Sequence, residues 1–380
     1  MNQILHNWDI QPLSELVDAI RQQGRIEKDK LYELWSIPSF SDGRPELIEG
    51  KKIGSSKLKV EPNDILISKI NPRINRVWMV EDSHLEQLAS PEWLIARVKD
   101  SSQLDKKFLR YYLSSPEFRE WISQAASSVT GSHSRAKSSE ILQRNIPLPP
   151  LPEQQKIVEI LEDHLSRLDA ALADVKQAKL KAAQFHKSFI HNMTTSVESS
   201  EVMNILEICD VYQPKTISTK ELIPDGAFPV YGANGQIGFY DKFNHEESEV
   251  TVTCRGATCG TVNVIPAMSW ITGNAMVFTP KDNRIQKGYL EYVLRGMDWT
   301  PVITGTAQPQ ITRNSIKDIF VDVPNPEIQN DIYMKLESAL TQVSRASLLS
   351  EVIEAQGSSL RRSLLQAAFT GQLTKEVASA

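Results

Sequence analysis

Val129-Thr130-Gly131 through Pro150-Leu151-Pro152-Glu153 recurs as Ile303-Thr304-Gly305 through Pro324-Asn325-Pro326-Glu327, and each copy runs directly into a long helix-like stretch. The offset is 174 at both ends, from 131 to 305 and from 153 to 327. A half-chain repeat that alternates a globular segment with a long helix implies two similar heads on two similar rods. The expected class is two α/β (α+β) modules separated by a pair of long antiparallel coiled-coil helices, with pseudo-two-fold internal symmetry. Duplex DNA is the ligand that most often matches such symmetry and needs two readers. The repeat sets boundaries at 1–150 for the first head, 151–195 for the first rod, 196–325 for the second head, 326–372 for the second rod and 373–380 for a tail.

A chain of 380 residues exceeds the roughly 250 to 300 at which single cores stop growing, which agrees with more than one domain. Hydrophobic content of 41% with 23% charged residues is ordinary for a soluble protein, and no apolar run approaches the ~20 residues of a membrane span. The N-terminus has neither a basic nor an apolar leader region, so a cytoplasmic location is expected. Cys209, Cys254 and Cys259 form no C-x-x-C pair and read as reduced thiols. The seven histidines make no ligand cluster, so no metal site is expected. A net charge of −5 argues against nonspecific clamping of DNA, which rests on many phosphate contacts. Residues 196–325 hold 10 basic and 15 acidic side chains. If that head touches DNA, it does so with a small localised set of basic and amide groups.

In the first rod Val158, Leu161, Leu165, Leu168, Leu172 and Val175 are spaced alternately by three and four, a heptad seam. The lattice continues through Lys179, Ala182, His186 and Phe189, with a shift toward Phe185 possible at the far end. The second rod carries Ile332, Leu336, Leu340, Val343, Leu349, Ile353, Leu360, Leu364 and Ala367 at mixed steps. Asn325 is placed to cap it, with Pro326 at its first position. Gly357 should weaken or bend it, and Gly371 should end it in the left-handed conformation. An isolated rod of this length, about 60 Å, gains little without a partner stripe. The rods should therefore pair with each other, and a groove left on the pair would receive other chains. Leu161, Leu165, Leu168, Leu172, Val175, Leu336, Leu340, Val343, Leu360 and Leu364 mark these docking helices. The alternative is that the helices lie on their own heads as core helices.

The heads read as mixed α and β. Residues 64–69, 76–80 and 93–98 are strand-like and 108–126 helical; in the second head 249–253, 261–265 and 275–279 are strand-like and 288–295 helical. Two segments of the second head are unusually polar and glycine-rich: the stretch from Pro229 to Tyr240, with Tyr231, Asn234 and Gln236, and that from Arg255 to Gly260, with Thr258. Both fit tight hairpin turns. Arg, Asn and Gln are also the side chains that pair with guanine and adenine edges in the major groove. The corresponding cluster in the first head is Lys69, Asn71, Arg73, Asn75 and Arg76. The loop with His133, Arg135 and Lys137 matches that with Gln308 and Gln310, near Arg313. These sixteen residues are the candidate DNA contacts, against a plain reading as solvated turns. No phosphate loop, dinucleotide motif, methyltransferase tetrapeptide or nucleophile elbow occurs, so the chain reads as a recogniser and no catalytic residue is expected. A coiled-coil adaptor with two protein-binding heads is the rival reading.

Over nearly its full length the chain resembles the DNA specificity subunit of type I restriction-modification enzymes. The resemblance is carried by Ile146-Pro147-Leu148-Pro149-Pro150-Leu151-Pro152-Glu153-Gln154-Gln155 and its worn copy from Val321 to Gln329, by Tyr231-Gly232-Ala233-Asn234-Gly235, and by Ser363-Leu364-Leu365-Gln366-Ala367-Ala368-Phe369-Thr370-Gly371-Gln372-Leu373. It implies two target-recognition domains, each reading one half of a split DNA site. It also implies adenine-methyltransferase subunits docked on the helices and motor-nuclease subunits that join for cleavage. S-adenosylmethionine, ATP and magnesium are implied on those partners, with no cofactor on this chain. The first head departs from the pattern, offering Leu34-Trp35-Ser36-Ile37-Pro38-Ser39 where the second has its Tyr-Gly-Ala-Asn-Gly turn.

Overall fold

The computed structural model describes residues 8–125, 134–305 and 308–375. The chain divides into two compact units, Met1–Ala173 with Ile353–Ala380, and Asp174–Val352. Each unit therefore holds one head, part of the long helix Leu151–Thr194 and part of the long helix Pro326–Phe369. No helix among the described residues is long and apolar enough to cross a membrane.

In the first unit Asp9–Pro12 pairs antiparallel with Asn145–Leu148, closing the head where the long helix begins. One four-stranded sheet runs Val17–Ile20, Trp93–Val98, Ile65–Ser68, Val77–Met79. The other runs Glu46–Glu49, Leu31–Trp35, Glu86–Ala89, Leu58–Lys59. Ile65–Ser68 is buried throughout, and its Ile65-Leu66-Ile67 run is apolar on both faces of the strand. The helix Lys106–Leu113 is capped by Asp105, whose carboxylate accepts from the amides of Lys107 and Phe108 at 2.8 and 2.9 Å. That helix buries Phe108 and Tyr112 in a core shared with Val158, Leu161 and Leu165 of the first long helix and Leu365 and Phe369 of the second.

The second unit repeats this plan. Glu201–Asn204 pairs with Phe320–Val323. A sheet runs Cys209–Tyr212, Ala275–Pro280, Glu249–Thr253, Val262–Ile265, and a smaller one Gly235–Tyr240, Phe228–Gly232, Trp270–Ile271. Its helix Lys287–Gly296 buries Tyr289 and Tyr292 in a core with Ile190 of the first long helix and Ile332 and Leu336 of the second. The expected strands and helices fall within a residue or two of those observed, except that the single helix expected over 108–126, whose last residue lies outside the described ones, is two helices, Lys106–Leu113 and Pro116–Ala125. The two readings of the rods are both realised: they pair with each other, and their ends are also core helices of the heads.

Along the first long helix the line Val158, Leu161, Leu165, Leu168, Leu172, Val175, Lys179, Ala182, His186, Phe189 is buried or half-buried. The seam does not shift to Phe185, which is 65% exposed and stacks on Phe189 from outside. In the first unit Leu172 lies on Gly357, and Asp169 pairs with Arg361 a turn further along, so the helices run antiparallel. In the second unit Lys179 pairs with Glu351 at 3.4 Å.

The second helix corrects the expected seam. Leu349, Ile353 and Leu360 are exposed, and the inner side carries half-buried Ser347 and buried Ser350 and Gly357 instead. Gly357 does not interrupt the helix. A Cβ there would come within 2.9 Å of the Leu172 side chain, so its absence lets the two backbones approach. Of the docking positions, Leu161, Leu165 and Leu336 are buried, and Leu168, Leu172, Val175, Leu340, Val343 and Leu364 half-buried; Leu360 alone is exposed. Most of these leucines hold the unit together and present little to another chain.

The helix ends follow expectation: the Ile328 amide donates to Asn325 Oδ1 at 3.0 Å, and Gly371 has φ 71°. The repeat register needs one residue of correction. Both long helices have 44 residues and start 175 apart, at 151 and 326. Gln154 and Gln329 confirm it, each fully buried with three backbone partners. Gln154 Oε1 accepts from the Asp105 amide, and its Nε2 donates to the carbonyls of Gln103 and Pro149, all at 2.8 Å. Gln329 does the same with Gln286, Arg284 and Pro324 at 2.8, 2.7 and 2.7 Å.

Candidate nucleic-acid interface

In each head one central strand overruns its sheet and pairs with the loop that precedes the last strand. In the second head the Arg255 and Gln310 backbones bridge, the Gly256 amide donates to the Pro309 carbonyl at 3.0 Å, and the Ile311 amide to Cys254 at 2.9 Å. In the first, Ile70 bridges Arg135, the Asn71 amide donates to Ser134 at 3.0 Å, and the Ala136 amide to Lys69 at 2.9 Å. These ladders make Arg135 the counterpart of Gln310 and Ile70 the counterpart of Arg255. They also correct the reading of two candidates. Asn71 and Asn75 occupy the left-handed positions, φ 46° and 50°, that Gly256 and Gly260 fill in the second head at φ 91° and 92°. Asparagine tolerates that conformation best after glycine. Asn75 also spends its amide on the Leu113 carbonyl at 2.9 Å, so both residues shape the turn.

The second head gathers its candidates at one cleft of about 400 Å³, lined by Ala233, Arg255, Gly256, Asn274, Gln308 and Gln310 among others. The strands Phe228–Gly232 and Gly235–Tyr240 are joined by the two residues Ala233 and Asn234, since Gly232 faces Gly235. That turn is tied to the neighbouring one by Thr253 Oγ1 donating to the Ala233 carbonyl at 2.5 Å and Thr258 Oγ1 donating to Asn234 Oδ1. Arg255 is exposed and has no ion-pair partner among the described residues. The cleft thus presents one unpaired guanidinium beside two exposed amides, the donor and acceptor set that base edges require. Three other candidates lie differently. Tyr231 packs on Ile265, Ile271 and Val277, Gln236 is exposed on its strand, and Arg313 donates to the Val211 carbonyl at 3.2 Å.

The first head holds its candidates more tightly. The Lys69 ammonium donates to the Pro91 carbonyl at 2.6 Å, and burial, helped by neighbouring Arg135, lowers its pKa. Arg135 pairs with Glu92, and Arg76 is half-buried. Arg73 and Lys137 are exposed, Lys137 pairing with Glu140 at 3.4 Å. His133 lies outside the described residues.

Sequence reasoning set residues 34–39 opposite the second head's turn but named none of them as a candidate contact, and it did not reach the rest of the first head's cleft. Leu31–Trp35 and Glu46–Glu49 are the counterparts of Phe228–Gly232 and Gly235–Tyr240, but ten residues, 36–45, replace the two-residue turn. This loop folds into the turn Pro38–Asp42 and borders a cleft of about 630 Å³ lined by Ser36, Ser39, Asp42, Arg44 and Glu46 among others. The strand pairing, not the repeat register, sets Trp35-Ser36 opposite Gly232-Ala233.

Among the described residues no group of three or more His, Cys, Asp or Glu is placed to hold a metal ion. Cys209 and Cys254 are buried free thiols, and burial pushes Cys209 up to about 12.

The model of the type I restriction modification DNA specificity domain matches residues 6–181 and 198–352. A Methanocaldococcus jannaschii protein that carries the provisional name type I restriction enzyme MjaX specificity subunit is 21% identical, over 89% of this chain and 88% of its own. A solved chain from work on complex assembly and conformational transition of the type I R-M system is 17% identical, with a TM-score of 0.82 over 98% of this chain and 100% of that one. The HsdS subunit from Thermoanaerobacter tengcongensis is 18% identical, with a TM-score of 0.56 over 96% and 97%. The solved structures show the shared fold, and the domain model covers both heads. The chain therefore belongs to the type I restriction-modification DNA specificity family, whose members recognise the DNA target and are not themselves catalytic.

Proposed function

We propose that each head reads one half of a bipartite DNA target and that the paired long helices set the number of unread base pairs between the halves. On this reading 1–150 and 196–325 are the target-recognition domains, 151–195 and 326–372 the spacer helices, and 373–380 a tail. The observation that carries it is the second-head cleft, where four separate chain segments converge to set Arg255 beside Gln308 and Gln310. Residues 36–45, with Arg44, take the corresponding place in the first head. Family membership displaces the adaptor reading.

Partners dock on the outer faces of the helices. In the second unit Leu348 and Leu349 are 63% and 54% exposed, and Val352 lies exposed on the same side at helical spacing. An apolar stripe of that kind suits a permanent subunit interface. Its occupants are the adenine-methyltransferase subunits, with motor-nuclease subunits joining for cleavage. S-adenosylmethionine, ATP and magnesium act on those subunits.

The Arg255→Ala variant tests the reading. A bidentate guanidinium–guanine pair is worth about 1–3 kcal/mol of discrimination, so the variant should lose roughly tenfold or more in target affinity. Sequencing the adenines methylated by the variant complex should show relaxed preference at one or two positions of one half-site and no change in the other. Relaxation in both halves, or in neither, would contradict it.

A further inference from the structure

The first unit carries a second basic cleft, on the face where its head meets the end of the second long helix. Arg73 comes from the turn Pro72–Ile74, Arg119 from the helix Pro116–Ala125, and Arg361 and Arg362 from the long helix. Together they line a cleft of about 380 Å³, with Glu120 at its rim and Leu365 in its wall. Four guanidinium groups in one cleft repel one another unless an anion joins them. The local carboxylates are too few: Arg361 pairs with Asp169, and Glu120 is exposed. Arg119 is held by its Nε donating to the Arg73 carbonyl at 2.7 Å, which leaves its two terminal nitrogens for another acceptor. Among the described residues the Arg73 and Arg362 side chains have no ion-pair partner.

We propose that this cleft takes a backbone phosphate of the bound duplex, which makes the end of the second long helix a DNA-contacting element as well as a spacer. Guanidinium forks match the paired oxygens of a phosphodiester. Arg73 stands within the turn that runs from Asn71 to Asn75, the counterpart of the second head's turn from Gly256 to Gly260, whose Gly256 lines the readout cleft. Phosphate contacts fix register and carry no base information. The cleft therefore adds affinity without selectivity. The inference rests on the reading of this chain as the DNA-binding subunit.

The test uses the full-length chain assembled with its methyltransferase, a duplex carrying the methylated target and a scrambled duplex of equal length. For the double variant Arg361→Gln, Arg362→Gln, affinity for both duplexes should fall by the same factor, about tenfold near physiological salt, and the slope of log K against log salt should become shallower by about 1. The methylated sequence should stay the same, and the Lys, Lys variant should keep the original slope. Arg73→Gln, on an exposed turn, should act in the same direction and serves if the helix variant melts early. Unchanged affinity and slope would overturn the proposal, and so would a loss confined to the target duplex, which would signify base reading. Loss of the methyltransferase at unchanged DNA affinity would likewise overturn it, assigning the cleft to a protein carboxylate. If the unaltered complex shows no preference for its target, the reading of the chain fails first, and the two failures are told apart.

Discussion

Replacing Phe369 by alanine should cost the first unit about 4 kcal/mol, far more than any single truncation on the exposed side of the second long helix. The ring is 3% exposed and meets Phe108 and Tyr112 edge to face, with centroids 5.4 and 5.3 Å away and planes at 70° and 83°. Truncating a buried Phe costs roughly 3–5 kcal/mol, and edge-to-face pairs lie at the upper part of that range. Phe369 is also the last residue of its helix, so losing it frees the C-terminal turns from the head they cover. Urea unfolding of the full chain should show an early transition in the variant, while Leu349→Ala, on the exposed face, stays within about 0.5 kcal/mol of the parent. A Phe369→Ala shift below about 1 kcal/mol would mean that the helix end does not hold that head's core.

Removing one matched heptad from each long helix, 169–175 together with 354–360, should move the protein to a different target. Seven residues of helix are about 10 Å, or about three base pairs at 3.4 Å each. The unread middle of the methylated sequence should shorten by about that amount while both half-sites keep their bases, and methylation of the original target should be lost. Removal of whole heptads keeps the inner lines in phase, so the variant pair can still form. Unaltered spacing, or altered half-sites, would contradict the role given to the helices.

How much of this was legible depended on which physical cue the residues carry. The first long helix could be read from Val158 to Val175, because its inner line there is made of leucine and valine at steps of three and four, and the same lattice carries on through Lys179, Ala182, His186 and Phe189. The second could not be read between Val343 and Leu364. Its inner side turns to Ser347, Ser350 and Gly357, small residues that allow close approach, while leucines and valine face outward, so a reading by hydrophobicity put the wrong face inside. The repeat was misplaced by one residue because identical Pro-Glu pairs were aligned, whereas the structural constant is a buried amide, Gln154 in one copy and Gln329 in the other. Asn71 and Asn75 looked like base readers because their side chains can pair with adenine. Their spacing of four, the same as that of Gly256 and Gly260, was the cue that backbone conformation had selected them. The second-head cleft was legible, since Arg255, Gln308 and Gln310 needed only a turn and a loop to meet. The first-head cleft was legible only in its position, at residues 34–39; residues 36–45 carry no glycine-rich signature, and the extent of the loop follows only from the pairing of Leu31–Trp35 with Glu46–Glu49.

The central claim is that two heads of one plan read two separate stretches of one duplex. It is tested most directly by expressing the unaltered chain with its methyltransferase in a host that lacks adenine methylation and sequencing the modified genome. The account predicts one bipartite motif, two short specified blocks separated by a fixed number of unspecified base pairs, with one methylated adenine in each block. A single uninterrupted motif, or methylation with variable spacing between the blocks, would contradict it.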